Sequence, residues 1–118
     1  MKENIIKDKS FKFAVRIVNL YRFLKEEKKE YDMSKQLYHA GTSIGANVHE
    51  ALRAVSKKDF ANKMGIALKE ASESEYWIEL LYATHYLEKI QYESIIADCS
   101  EINKLLISIV KKSNGETE

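Results

Sequence analysis

The sequence predicts an all-α protein, an up-down-up-down four-helix bundle, and three observations carry that prediction. The 118 residues include no proline and only four glycines, Gly41, Gly45, Gly65 and Gly115, too little turn punctuation for a hairpin-rich β protein. Four successive stretches repeat apolar residues at spacings of three and four, the period of one helix face. The single cysteine, Cys99, has no partner for an intrachain disulfide, so stability must come from packed helices. With 45% hydrophobic and 31% charged side chains, residues 1–118 read as one globular domain.

The first helix is expected over about residues 10–26, with Ser10 as N-cap. Phe13, Ile17, Leu20 and Leu24, joined by Ala14 and Tyr21, form its core stripe, while Phe11, Val15 and Val18 fall on roughly the opposite side. The mixed-charge run KEEKKEYD from Lys25 to Asp32 reads as a connection. Asp32 or Ser34 then caps a second helix over about 33–55, whose face is Met33, Leu37, Ala40, Gly41, Ile44, Val48, Ala51, Leu52 and Val55. Two glycines inside a helix cost about 1 kcal/mol each against alanine, so Gly41 and Gly45 are expected to mark a close helix crossing. Ser56 followed by Asp59 reads as the cap of a third helix over about 57–88, with Phe60, Met64, Ala67, Leu68, Ala71, Ile78, Tyr82 and His85 as its stripe. A fourth, over about 92–112, places Ile95, Cys99, Ile102, Leu106, Ile109 and Val110 on one face, and the tail SNGETE is expected to fray. Burying four such stripes around one core gives the bundle.

No run approaches the roughly 20 apolar residues of a membrane helix, and the opening MKENIIKDKSFK lacks the apolar centre of a signal peptide, so a cytoplasmic location is expected. The formal charge of +1 hides a gradient. Residues 1–30 hold nine basic against five acidic side chains, whereas residues 61–90 and 91–118 each hold three against five. Such asymmetry marks a phosphate-facing end or lets the two halves attract one another.

Enzymatic readings find little to stand on. A carboxylate-bridged metal site in a bundle needs Glu-x-x-His motifs, but Gln36, Ala46 and Tyr82 stand three residues before His39, His49 and His85. Cys99 sits in an apolar stripe, where a thiol is inert. GTSIGANV lacks the Lys-Ser/Thr ending of a phosphate-binding loop. The sequence therefore points to no catalytic residue, metal ligand or cofactor.

Three other sets stand out. Gln36, Ser43, Asn47 and Glu50 form a polar seam beside the second helix's stripe, and with Ser74 and Glu75 of the third they are expected to build a structural hydrogen-bond network between the two helices. Ile66, Trp77, Leu80 and Leu87, with Tyr76 nearby, give the third helix a second apolar face; together with Phe11, Val15 and Val18 they predict a homo-oligomer interface. Lys7, Lys9, Lys12, Arg16 and Arg22 near the first helix, with Lys57 and Lys58 opening the third, are the candidate nucleic-acid contacts.

The run QLYHAGTSIGANVHEA and the following SKKDFANKMGIALKEASESEYWIELL resemble the four-helix-bundle family named for proteins encoded in 23S rRNA intervening sequences. The resemblance spans nearly the whole chain. It rests on Gln36, Ala40, Ser43, Ile44, Asn47 and Glu50, then Arg53, Ser56, Phe60, Ala67, Glu70, Ala71, Glu75 and Trp77. The chain departs from the usual Asn-Ile-Ala-Glu-Gly by reading Asn47-Val48-His49-Glu50-Ala51. This resemblance implies a bacterial, cytoplasmic protomer that assembles as a homopentamer, in a family without an assigned biochemical role. Accessory proteins of diversity-generating retroelements look like relatives; they are pentameric and basic, and bind nucleic acid and a reverse transcriptase. The expectation is a non-enzymatic homo-oligomer, its partners being itself and RNA or DNA, with no membrane and no small-molecule substrate. The alternatives are a protein-protein scaffold with no nucleic-acid role and, less favoured by the residues, a metal-dependent enzyme.

Overall fold

The computed structural model describes residues 2–115; all of them fall in helices, turns or short connections, with no strand. Four helices follow in order: α1 (Lys2–Glu26), α2 (Met33–Ala51), α3 (Lys57–Ala83) and α4 (Lys89–Ser113). Neighbours in sequence pack against each other and α4 closes back on α1, while the backbones of the diagonal pairs α1/α3 and α2/α4 stay apart. That is the bundle-like arrangement short connections impose on antiparallel helices. The molecule measures 44 × 25 × 20 Å.

One core runs along the axis. Phe13, Ile17 and Leu24 of α1 meet Leu37, Ile44 and Val48 of α2, Met64, Ala67, Ala71 and Ile78 of α3, and Ile95, Cys99, Ile102 and Leu106 of α4, all buried. The expected stripes therefore supply the core, while Leu20, Phe60, Leu68, Tyr82 and Val110 lie half-buried at its edge. Two stacked tyrosine pairs tie adjacent helices: Tyr21 on Tyr38 at 4.4 Å, and Tyr82 on Tyr92 at 4.1 Å with rings 7° apart.

The glycine expectation holds at α1/α2. A Cβ on Gly41 would lie 2.7 Å from Ile17 Cγ1, and one on Gly45 would lie 3.3 Å from the Ser10 carbonyl oxygen. The two backbones approach closely because neither residue has a side chain there.

Several boundaries differ from expectation, each for a local reason. α1 begins at Lys2, and Ser10 is an interior residue whose hydroxyl donates to the Lys7 carbonyl. Ile6, fully buried, carries the stripe another turn toward the N-terminus. Neither Asp32 nor Ser34 caps α2; Glu30 does, with its carboxylate accepting from the backbone N–H of Asp32, Met33 and Ser34 at 3.1, 3.0 and 2.7 Å. α2 ends at Ala51, so Val55 lies beyond it and is 96% exposed. Ser56 caps α3 as expected, its hydroxyl accepting from Asp59 N–H.

His85 is the largest correction. It is exposed rather than on a core stripe, and sits at φ 71 just past α3. Its N–H bonds the Tyr82 carbonyl and that of Tyr86 bonds Leu81, a Schellman closure whose left-handed residue is His85. The chain reverses there, so Leu87, expected on an outer face of α3, instead lies in the connection and is buried against the core. α4 starts at Lys89, where Gln91 Oε1 accepts from Glu88 N–H. At the other end Asn114 and Gly115 follow α4 in a turn; of the tail expected to fray, residues 116–118 lie outside the described residues.

Candidate nucleic-acid interface

The basic residues singled out in the sequence divide into three groups. Lys9 and Arg16 are engaged inside the protomer. Lys9 pairs with Glu101 at 3.1 Å, and Arg16 reaches Asp98 at 2.6 Å and the Ser94 hydroxyl at 2.9 Å. Both bridge α1 to α4, and Arg16 is half-buried. They serve the bundle's least extensive helix contact, and a phosphate would have to compete with carboxylates already in place. Lys7, Lys12 and Arg22 are exposed on α1 and form no ion pair among the described residues.

Lys57 and Lys58 belong elsewhere. Antiparallel packing brings the α2–α3 connection and the C-terminus of α4 to one end of the molecule, where a groove of about 580 Å³ is lined by Val55, Lys57, Phe60 and Lys112. Arg53, Lys57, Lys58, Lys111 and Lys112 are all exposed on these two segments and none forms an ion pair among the described residues. Along the chain, Asp59 and the Lys63-bound Glu50 stand nearest the first three, and Glu116 and Glu118 follow the last two. Arg53, Lys111 and Lys112 were not among the sequence candidates. The topology itself was the available signal: in an up-down-up-down bundle the α2–α3 turn and the end of α4 coincide.

The polar seam does not form the expected network. Asn47 donates to the Ser43 carbonyl and Ser74 to the Glu70 carbonyl, each on its own helix and each at 2.8 Å. Gln36 is exposed and Glu75 half-buried. Short polar side chains on a helix find the carbonyl one turn back before they find a neighbour. Glu50 alone of the seam crosses from α2 to α3, bonding Lys63 at 2.9 Å.

Of the residues expected at an oligomer interface, Phe11, Val15, Ile66 and Tyr76 are exposed, at 69, 47, 36 and 57%. Val18, Trp77 and Leu80 are half-buried, and Trp77 also packs on the core. Phe11 separates two adjoining grooves. One, of about 510 Å³, opens between α1 and α2 over Gly45 and Ala46, with Lys7, Asp8 and His49 at its rim. The other, of about 330 Å³, runs along α1 over Ala14, Val15 and Val18 to Arg22.

Chemically the described residues are quiet. No group of three or more His, Cys, Asp or Glu is placed to hold a metal ion. Cys99 Sγ lies 3.5 Å from the Ala71 carbonyl, and burial, followed by the charges of Glu75, Glu79 and Asp98, pushes the thiol up to about 12. Glu70 is raised to about 7, first by burial and then by a hydrogen bond and charge repulsion from Glu73. A carboxyl raised on folding above its ordinary 4.5 costs nothing while protonated in both states, and its cost grows as pH rises from there to neutrality. Glu70→Gln should therefore melt above the native protein at pH 8 and lose that advantage by about pH 4.5. An equal shift at both pH values would remove the assignment.

Four helices follow in this order, with Gly41 and Gly45 at the α1/α2 crossing and Ala67 and Ala71 buried on α3. The profile of the 23S rRNA-intervening sequence protein family matches residues 2–108. The chain belongs to that family. A crystal structure of a protein of unknown function from the S23 ribosomal protein family, from Bacteroides thetaiotaomicron VPI-5482, superposes with a TM-score of 0.92 at 64% identity, covering 94% of this chain and 99% of that one. No curated protein matches significantly. The matched segment reaches all four helices and includes Gln36 to Glu50, of which Ile44 is core and Asn47 bonds its own helix. No helix is long and apolar enough to cross a membrane among the described residues.

Proposed function

We propose that this family member is a non-enzymatic, homo-oligomeric, cytoplasmic helical bundle that binds RNA or DNA. The observation that carries the nucleic-acid part is the basic end, where Arg53, Lys57, Lys58, Lys111 and Lys112 stand exposed on two converging segments and form no ion pair among the described residues. Phosphodiester backbones are recognised by clustered cations that release counterions on binding. Lys7, Lys12 and Arg22 extend the positive surface along α1, and each further copy in an oligomer repeats it. The family resemblance implies five copies, and the exposed apolar faces of α1 and α3 favour self-association.

A protein-only scaffold is the second reading, favoured by the near-neutral total charge of +1 and the apolar grooves beside Phe11. Fluorescence anisotropy with a structured RNA and a DNA duplex, at low and physiological salt, separates the two. Binding through the basic end should weaken steeply with salt, whereas an apolar protein interface barely responds. Replacing Lys57, Lys58 and Lys112 together by alanine should lower affinity for all sequences alike and reduce the salt slope by up to about 3, near one per lost phosphate contact. Light scattering in the same buffers gives the number of 13.7 kDa copies. No binding at low salt by an intact oligomer would leave the scaffold.

A further inference from the structure

The basic end holds more than charge. Its groove of about 580 Å³ has apolar walls, where Val55, 96% exposed, lies near Phe60, a half-buried ring that also packs on the core. Lys57 of α3 and Lys112 of α4 line the same groove from two different helices. A second groove, of about 610 Å³, shares Ser56 with the first and is more polar, lined by Lys58, Asp59, Asn62 and Asn114, all exposed.

This chemistry separates one form of nucleic acid from another. A duplex carries its phosphates outside and keeps its base faces stacked within, so it would meet the cations and leave Val55 and Phe60 in water. It also has the denser charge, so a surface working by charge alone would hold a duplex more tightly than a single strand of equal length. The end has acids as well: Asp59 is exposed, Glu50 is bound to Lys63, and Glu116 and Glu118 follow Lys112 in sequence, outside the described residues. Arg53, Lys57, Lys58, Lys111 and Lys112 outnumber them, but by a margin that is modest for binding carried by phosphate contacts. An unpaired nucleotide uses every part of the site. Its base offers a face to an aromatic ring and polar edges to asparagine side chains, and its phosphates lie to either side.

We propose that the groove beside Val55 and Phe60 seats an unpaired base of a single-stranded nucleic acid, with the flanking phosphates on Lys57 and Lys112 and the edge of the next base at Asn62 and Asn114. This rests on the nucleic-acid reading above and names the form of strand the site takes.

Fluorescence anisotropy at low salt tests it with three labelled oligonucleotides of equal length: single-stranded oligo(U), single-stranded oligo(dT), and the oligo(dA)·oligo(dT) duplex. At least one single strand should bind about five-fold or more tightly than the duplex, the factor that one base stacked on an aromatic ring supplies; the tighter of the two identifies the sugar. Phe60→Leu keeps an apolar side chain against the core but removes the ring, and should abolish most of that preference while leaving duplex affinity unchanged. Val55→Ser alters a side chain that is almost wholly in solvent, so it keeps the fold, and it should reduce the preference in the same direction. Circular dichroism and thermal melting check both variants, and Val55→Ser alone decides if Phe60→Leu does not fold. A duplex bound as tightly as both single strands would overturn the unpaired-base seat and leave nucleic-acid binding standing. A single-strand preference that survives in the folded variants would overturn it too, since the base then lies elsewhere. Binding to none of the three would overturn the nucleic-acid reading along with it, and retention of such a protein on phosphatidylserine vesicles would give the basic end to a lipid surface instead.

Discussion

Gly41→Ala should destabilise the protein by about 1–3 kcal/mol, the range for forcing extra carbon into a packed core. The direction is not what helix propensity gives, since alanine in place of a mid-helix glycine ordinarily gains about 1 kcal/mol. Packing reverses it. The new Cβ would stand 2.7 Å from Cγ1 and 2.9 Å from Cγ2 of Ile17, and Ile17 is 1% exposed. A β-branched side chain in a helix has essentially one χ1 available, so relief requires α1 to move away from α2. Urea denaturation should show a lower midpoint at an unchanged slope. Ile17→Ala removes both clashing carbons, so the double variant should lose less than the two single losses added, by at least about 0.5 kcal/mol. Strict additivity, or a gain of stability from Gly41→Ala alone, would show that the crossing is not tight.

Glu30→Ala is expected to cost about 2–3 kcal/mol, as a buried charged acceptor that satisfies several donors is removed. Its carboxylate accepts three consecutive N–H groups at the start of α2, and the Ser34 hydroxyl donates back to the Glu30 carbonyl at 2.8 Å. With Glu30 only 6% exposed, water replaces those bonds poorly. A negative charge there also meets the positive end of the helix dipole. Glu30→Gln keeps an acceptor without the charge and should fall between native and Glu30→Ala in thermal melts. Alanine within 0.5 kcal/mol of native would assign the capping to solvent instead.

These two residues mark where sequence reading succeeded and where it stopped. Gly41 was legible because a glycine amid a strong apolar period has few reasons to be there other than closeness of another backbone. Glu30 was hidden in a mixed-charge run, next to Asp32 and Ser34, which have the stronger intrinsic capping preference. The positive φ of 56 at Lys29 brings the chain round so that Glu30, rather than either of them, faces the first turn of α2. His85 was misplaced for a related reason. The apolar period runs on through Tyr82 toward Leu87, and no glycine or proline announces the Schellman turn that interrupts it.

The basic surface shows the same division. Lys7, Lys9, Lys12, Arg16 and Arg22 form a basic series along one stretch of sequence, but two of them are committed to Glu101 and Asp98 on α4, 92 and 82 residues away. Lys57 and Lys58 gain their neighbours Lys111 and Lys112 only because the helices are antiparallel.

By itself the sequence determined the helical class, the number of helices, most of the core and the near crossing at Gly41 and Gly45. These depend on period and side-chain volume, which are properties of neighbours along the chain. The tertiary structure alone decided which cations remain free, which acid caps α2 and which apolar residues stay outside. Those depend on partners brought together from distant positions, and pairing energies at such distances leave no period in the sequence.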